Sequence, residues 1–84
     1  MRLLFSERAW EDYQFWLRTE PKLLARLNGL IQECQRTPFQ GAGKPEPLRG
    51  QLAGWWSRRL TPEHRFVYRG NEDALQISQC RYHY

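Results

Sequence analysis

The chain has 84 residues, of which 40% are hydrophobic and 26% charged, and its formal net charge at neutral pH is +4. This length predicts a single domain over residues 1–84. The two cysteines are too few for a disulfide framework, and no run approaches the roughly 20 apolar residues of a membrane span. Residues 1–6 also lack the apolar core of a signal peptide, so we expect a cytoplasmic protein.

Basic residues are concentrated in the second half of the chain. Seven lysines and arginines lie between positions 36 and 69, against the two acidic residues Glu46 and Glu63. A localised basic surface suits a polyanion such as a nucleic acid. Ordinary solvated surface charge explains the same pattern equally well.

The first half of the chain predicts a short strand followed by two helices. Residues 2–5 are predominantly apolar, and Ser6 can cap a helix whose apolar residues recur at helical spacing as far as Arg18. Pro21 suits the first turn of a second helix, and the Thr-Pro pair at 37–38 ends it. Because the connection is so short, we expect an αα-hairpin with both apolar stripes in the core.

The second half predicts a loop and three strands. Residues 41–54 contain four glycines and two prolines, which indicates a loop rather than a strand or a helix. Alternating side chains then predict strands over residues 55–60, 64–69 and 74–82, joined by short turns. The order β-α-α-β-β-β indicates an α+β fold. Its helical hairpin packs on one face of a mostly antiparallel sheet, and the other face can be open to a ligand.

The spacing of candidate ligands does not support metal binding. Cys80 and His83 are close in sequence, but residues three apart in an extended strand point to opposite faces of a sheet. The sequence has no carboxylate cluster for magnesium and no Gly-x-Ser-x-Gly motif for a serine nucleophile. We therefore predict chemistry without a metal or another cofactor.

Acid–base catalysis on a basic surface is the chemistry that remains. Cleavage of RNA without a metal needs a base for the 2′-OH, an acid for the leaving 5′ oxygen and cations for the phosphate. Glu46 is a candidate base, because it is the only acidic residue of the loop and has Lys44 and Arg49 on either side. His83 is a candidate acid, because imidazole gains and loses a proton close to neutral pH.

Arginines and a tyrosine complete the candidate set. Arg65 can pair with a phosphate through its planar guanidinium. Arg58 and Arg59 point to opposite faces of their strand, so at most one of them serves the same site. Tyr84 can stack on a base or position the phosphate, whereas a structural role is preferred for His64. Each candidate also has an ordinary explanation, from charge balance in the loop to a frayed chain end, and only the combination is specific.

Four stretches carry a resemblance to a known family. They are residues 43–48 (GKPEPL), 56–60 (WSRRL), 63–68 (EHRFVY) and 80–84 (CRYHY). With these motifs the chain resembles, from end to end and without gaps, the YoeB-type toxins of the RelE/ParE superfamily. The resemblance implies a RelE-like fold and a toxin of a type II toxin–antitoxin pair. It also implies an endoribonuclease that cuts mRNA at the A site of the 70S ribosome.

The resemblance assigns catalytic roles to four residues. Glu46 matches the general base, His83 the general acid and Arg65 the residue that stabilises the phosphate. Tyr84 matches a terminal tyrosine that helps to place the RNA. The products implied are a 2′,3′-cyclic phosphate and a 5′-hydroxyl.

Further positions are expected to bind or position the RNA. Arg59 and Glu63 match active-site positions of the family, and Arg49 stands where the family usually has lysine. Together with the loop lysine, the expected RNA-contacting set is Lys44, Arg49, Arg59 and Glu63. The resemblance also implies a homodimer and neutralisation by a YefM-like antitoxin, whose C-terminal segment folds over the toxin.

Two other functions stay open from the sequence. ParE-like relatives share the fold but poison DNA gyrase by binding it, and they generally lack the loop glutamate and the terminal His-Tyr. A general RNA-binding module would bind RNA with a steep dependence on salt but would leave no cleaved ends.

Overall fold

A computed structural model describes all of residues 1–84. The chain forms one five-stranded sheet, a helical hairpin and one turn of 3-10 helix. Their bounds are β1 Arg2–Phe5, α1 Glu7–Thr19, α2 Pro21–Arg36, β2 Glu46–Pro47, a 3-10 helix Gly50–Leu52, β3 Trp56–Arg59, β4 Arg65–Gly70 and β5 Ala74–Gln79. The strand order is β1-β5-β4-β3-β2, with β1 parallel to β5 and the other pairs antiparallel. The predicted α+β fold is confirmed, with β2 as an additional strand.

Both helices begin and end where the local signals indicate. Ser6 caps α1, because its Oγ accepts a hydrogen bond of 3.0 Å from the N–H of Ala9. Pro21 is the first residue of α2, where its missing N–H leaves no bond unmade. The helix ends as predicted before Thr37, whose N–H bonds the carbonyl oxygen of Glu33.

The core lies between the helical hairpin and one face of the sheet. Its buried members are Ala9, Trp16, Leu27, Leu30, Ile31, Cys34, Leu60, Phe66, Tyr68, Leu75, Ile77 and Cys80. The members from β4 and β5 alternate in sequence, which shows that a single face of these strands is covered by the helices. Neither helix is long and apolar enough to cross a membrane.

The loop prediction for residues 41–54 is wrong at two places. Glu46–Pro47 forms the short strand β2 on β3, and Gly50–Leu52 forms a turn of 3-10 helix. Proline is tolerated in β2 because this strand lies at the edge of the sheet, where its missing N–H breaks no inner ladder. The new strand matters because it brings Glu46 into the sheet.

The last strand is shorter than predicted and ends at Gln79 rather than at residue 82. Beyond it, the main chain of Cys80 bonds to helix α1 instead of a neighbouring strand. Tyr82 then adopts a left-handed backbone with φ of 65°. A chain whose peptide groups turn to a helix cannot continue the ladder.

Candidate active site

A row of side chains crosses the sheet on the face that carries no helix. Glu46 of β2 lies opposite Ser57 of β3. Ser57 lies opposite Val67 of β4, which in turn lies opposite Gln79 of β5. Residues in register share a face, and the neighbours of Val67 along β4 point to the core. We refer to these four residues as the Glu46 row.

The hydroxyl of Tyr84 lies over this row. It donates a hydrogen bond of 3.2 Å to Oε1 of Glu46 and lies 3.3 Å from Oγ of Ser57. A phenol has one proton, so Ser57 is the donor of the second bond whenever ionised Glu46 accepts the first. Ser57 is 1% exposed, so the residues packed around it keep its side chain in place. Its hydroxyl can therefore orient the phenol of Tyr84.

His83 is exposed beside Tyr84. Its Nδ1 lies 3.2 Å from the carbonyl oxygen of Tyr84, and the two rings are 4.8 Å apart. Its Nε2 makes no hydrogen bond. The structure therefore brings together an acceptor carboxylate, a phenol and an imidazole on one surface.

Helix α1 anchors the chain that leads to these residues. The N–H of Cys80 donates to Oδ2 of Asp12 at 3.1 Å, and its carbonyl oxygen accepts from Nε1 of Trp16 at 2.8 Å. Arg81 packs its guanidinium carbon 3.5 Å from the ring centre of Phe15. The chain end therefore follows a defined path rather than fraying.

His64 holds the next residue of this path. Its Nδ1 accepts a hydrogen bond of 2.7 Å from the N–H of Tyr82, while its ring meets that of Trp16 edge-on at 4.8 Å. The carbonyl oxygen of Tyr82 accepts from the N–H of Arg65 at 2.9 Å. The structural role preferred for His64 is therefore observed: its side chain holds the peptide group between Arg81 and Tyr82, while the N–H of Arg65 holds the next one, which precedes His83.

Two arginines face each other on the helix-free side. Arg59 of β3 and Arg65 of β4 are in register, and neither forms an ion pair with a carboxylate. Arg65 is only 9% exposed, and its Nη1 donates to the carbonyl oxygens of Thr61 and Pro62 at 2.9 and 3.1 Å. Like charges placed opposite one another repel, and a bound anion would relieve that repulsion.

Arg58 has a different task from Arg59. Its side chain is fully buried on the helix side of the sheet, as the alternation of β3 predicts. The guanidinium donates to the carbonyl oxygens of Thr37, Gln40 and Ala42. Arg58 therefore fastens the segment after α2 to the sheet, and only Arg59 of this pair lies on the face of the Glu46 row.

Glu33 and Gly41 complete this fastening. Oε1 of Glu33 accepts from the N–H of Ala42 at 2.7 Å and from Arg58 at 3.1 Å, and these bonds hold the pKa of Glu33 below its usual value. Gly41 has φ of 124°, and a Cβ there would lie 1.5 Å from the same oxygen. The clamp formed by these residues fixes the start of the loop that leads to Glu46.

The other expected RNA-contacting residues are exposed and unpaired. Lys44, Arg49, Arg59 and Glu63 make no side-chain hydrogen bond or ion pair, so no contact draws them to the Glu46–Tyr84 pair. Arg59 alone of the four is placed by strand register on the same face. The structure has no group of three or more His, Cys, Asp or Glu side chains that could hold a metal ion.

Ser57 is the site residue that sequence reasoning missed. The alternation of residues 55–60 already put it on the same face as Arg59. A serine has no chemical feature that separates a positioning hydroxyl from a small buried residue. Its role becomes visible only when the pairing of β2 with β3 sets Glu46 beside it.

A helical hairpin on one face of a five-stranded sheet is the architecture that this chain shares with small bacterial toxins of known structure. The family model described as "YoeB-like toxin of bacterial type II toxin-antitoxin system" matches residues 5–84. The chain belongs to this YoeB-like toxin family. Toxin YoeB of Escherichia coli K12 is 51% identical over 84 residues, which cover 100% of both chains.

Solved structures agree with this assignment. The YoeB/ParE toxin from Agrobacterium tumefaciens has a TM-score of 0.96 and 52% identity, covering 100% of both chains. Two Staphylococcus aureus structures, a YoeB dimer and a YoeB–YefM complex, have TM-scores of 0.94 and 0.92 at 36% identity. Each comparison covers 100% of this chain and 98% of the other.

Proposed function

We propose that this toxin is an endoribonuclease that cuts mRNA at the ribosomal A site and so stops translation in the cytoplasm. The observation that carries the proposal is the contact between Tyr84 and Glu46, with His83 beside it, on a face where Arg59 and Arg65 lack carboxylate partners. Metal-free cleavage of RNA needs a base, an acid and cations within reach of one phosphate.

The reaction follows from what each group can accept or donate. Oε1 of Glu46 is bonded to Tyr84, whereas Oε2 makes no hydrogen bond and can take the proton of the 2′-OH. The 2′ oxygen then bonds to phosphorus, and the bond from phosphorus to the 5′ oxygen breaks as His83 delivers a proton to that oxygen. The products are a 2′,3′-cyclic phosphate and a 5′-hydroxyl.

Cations and the phenol assist this step. Negative charge grows on the phosphate oxygens in the transition state, and Arg65 with Arg59 supplies the opposing charge. Tyr84 holds the attacked nucleotide next to Glu46. The exposed Lys44, Arg49 and Glu63 bind or position the RNA farther out.

The two S. aureus structures guide the proposal on partners. One contains a YoeB dimer and the other YoeB with YefM. We infer that this chain likewise forms a homodimer and is neutralised by a YefM-like antitoxin. An antitoxin segment that covers Glu46 and His83 would exclude RNA from the site.

Mapping the 5′ ends of mRNA after induction of the toxin tests this function. New ends within translated regions are expected for the unchanged chain. Glu46→Gln and His83→Ala should each slow cleavage about 100- to 10,000-fold, the usual share of acid–base catalysis. Glu72→Gln, in an exposed turn, is the matched control and should cut normally. A DNA-damage response without new mRNA ends would instead support gyrase inhibition and refute the proposal.

A further inference from the structure

A second row of side chains lies next to the Glu46 row on the helix-free face. Arg69 of β4 is in register with Gln76 of β5, which is in register with Leu4 of β1. Trp55 immediately precedes Trp56, the partner of Tyr68, and therefore lies opposite Arg69. This second row thus crosses β1, β5 and β4 and ends at Trp55, the residue just before β3.

The members of the second row contact one another closely. The guanidinium carbon of Arg69 lies 4.4 Å from the ring centre of Trp55. Nε and Nη2 of Arg69 donate to Oε1 of Gln76 at 2.9 and 2.8 Å. The guanidinium is therefore held in one orientation against the indole, and the Nε2 of Gln76 keeps its donors for another partner.

The second row also borders open space and carries an unneutralised charge. A cavity of about 390 Å³ is lined by Trp55, Arg69, Gln76 and residues of β1 and β5. Arg69 is exposed and has no carboxylate partner. A cation stacked on an aromatic ring beside a free amide donor suits a nucleotide better than an apolar protein surface.

The two rows are close enough to serve one strand of RNA. Arg65, Val67 and Arg69 alternate along β4, so they share a face and lie about 7 Å apart in turn. That distance resembles the step between neighbouring nucleotides of an extended single strand. Val67 and Ser57 of the Glu46 row lie one such step from Arg69 and Trp55 respectively. An RNA whose reacting phosphate lies over the Glu46 row therefore carries a neighbouring nucleotide over Trp55 and Arg69.

We propose that Trp55, Arg69 and Gln76 form a subsite for one unpaired nucleotide next to the bond that is cut. The base extends the Trp55–Arg69 stack, and Nε2 of Gln76 donates to the edge of that base. The subsite rests on the proposed endoribonuclease function. It adds a place where the RNA is bound away from the reacting atoms. Its contribution is to binding, whereas Glu46 and His83 act on the chemical step.

Cleavage of mRNA on programmed ribosomes, measured over a range of toxin concentrations, tests the subsite. Trp55→Leu and Arg69→Gln should each lower kcat/KM on the order of tenfold, the effect of losing one base stack, with a smaller change in kcat. Trp10→Leu and Lys22→Gln are the matched controls, because both side chains are exposed on the helical hairpin. Both controls should leave kcat/KM unchanged.

A modified RNA gives the sharper comparison. A single abasic nucleotide is placed in turn at each position of the mRNA next to the cut. At one of these positions it should lower kcat/KM of the unchanged toxin about tenfold. With Trp55→Leu, the same abasic RNA should cause no further fall in kcat/KM, because the stacking partner is already absent.

The outcomes separate the subsite from the proposed function. Normal cleavage by both variants, or equal losses with the abasic RNA in the variant and the unchanged toxin, would overturn the subsite and leave the nuclease intact. Normal cleavage combined with weakened dimerisation or antitoxin binding would assign this surface to a protein partner and also overturn the subsite. If the unchanged toxin cut no RNA, the proposed function would fail and the subsite with it.

Discussion

The hydroxyl of Tyr84 lies 3.2 Å from Oε1 of Glu46, although 38 positions separate the two residues in the chain. Two separate sets of hydrogen bonds make this contact possible. The clamp of Glu33 and Arg58 fixes the loop before Glu46, and helix α1 with His64 fixes the path to Tyr84. The geometry of the candidate site therefore depends on residues that would not touch a substrate.

Ser57 is predicted to act through Tyr84. Ser57→Ala should lower kcat for RNA cleavage about two- to tenfold, because one hydrogen bond that orients the phenol is lost. Tyr84→Phe should lower kcat further than Ser57→Ala, since it also removes the bond to Glu46. Adding Ser57→Ala to Tyr84→Phe should then have no further effect in a double-mutant cycle. Independent, additive losses would show that Ser57 does not work through the phenol hydroxyl.

His64 is predicted to position the chain end through its Nδ1 acceptor. His64→Leu keeps an apolar contact with Trp16 but leaves the N–H of Tyr82 without its acceptor, and kcat should fall about two- to tenfold. His64→Asn places an amide oxygen close to the position of Nδ1 and should restore most of the rate. Equal kcat values for the two variants, at matched thermal stability, would contradict this role.

Glu33 is predicted to stabilise the fold in a manner that depends on pH. Its pKa is lowered from 4.5 by the N–H of Ala42 and by Arg58, so the folded state prefers the carboxylate. The resulting stability is present above about pH 4.5 and is lost as the pH falls through the lowered pKa of the folded state. Glu33→Gln should therefore reduce the melting temperature at pH 7.

The control for this prediction is the same comparison in acid. The difference in melting temperature between Glu33→Gln and the unchanged chain should shrink as the pH falls below about 4.5 and through the lowered pKa of Glu33, because the carboxyl group then loses its charge. Glu72→Gln, which removes an exposed carboxylate without partners, should show no such change. A difference that stayed constant from pH 7 down to the acid end of the folded range would rule out the charge of Glu33 as its cause.

The fold was predictable where its signals are local. The cap at Ser6, the proline at the start of α2 and the alternation along β3 and β4 each depend on neighbouring residues, and the structure reproduces them. The short strand Glu46–Pro47 was not predictable, because its glycine- and proline-rich surroundings indicate a loop. Its pairing depends on an edge of the sheet supplied by Trp56 and Ser57, which lie farther along the chain.

The site shows the same division between chemistry and geometry. The side-chain chemistry of Glu46, His83 and Tyr84 made them candidates from the sequence, and the structure brings them together. The hydrogen bonds of Ser57 and His64 to the chain end join residues at least 18 positions apart, and no sequence pattern predicts such bonds. The roles of Lys44, Arg49 and Glu63 in binding RNA remain predictions.

In the proposed reaction, the 2′-OH of the RNA is deprotonated by Glu46 and attacks the neighbouring phosphate. Its most direct test is cleavage of a ribosome-bound mRNA that carries one 2′-deoxynucleotide at the mapped cut. We expect no cleavage at the substituted nucleotide, and 2′,3′-cyclic phosphate with 5′-hydroxyl ends on the unmodified RNA. Cleavage of the 2′-deoxy substrate at the same bond, leaving a 5′-phosphate, would contradict it.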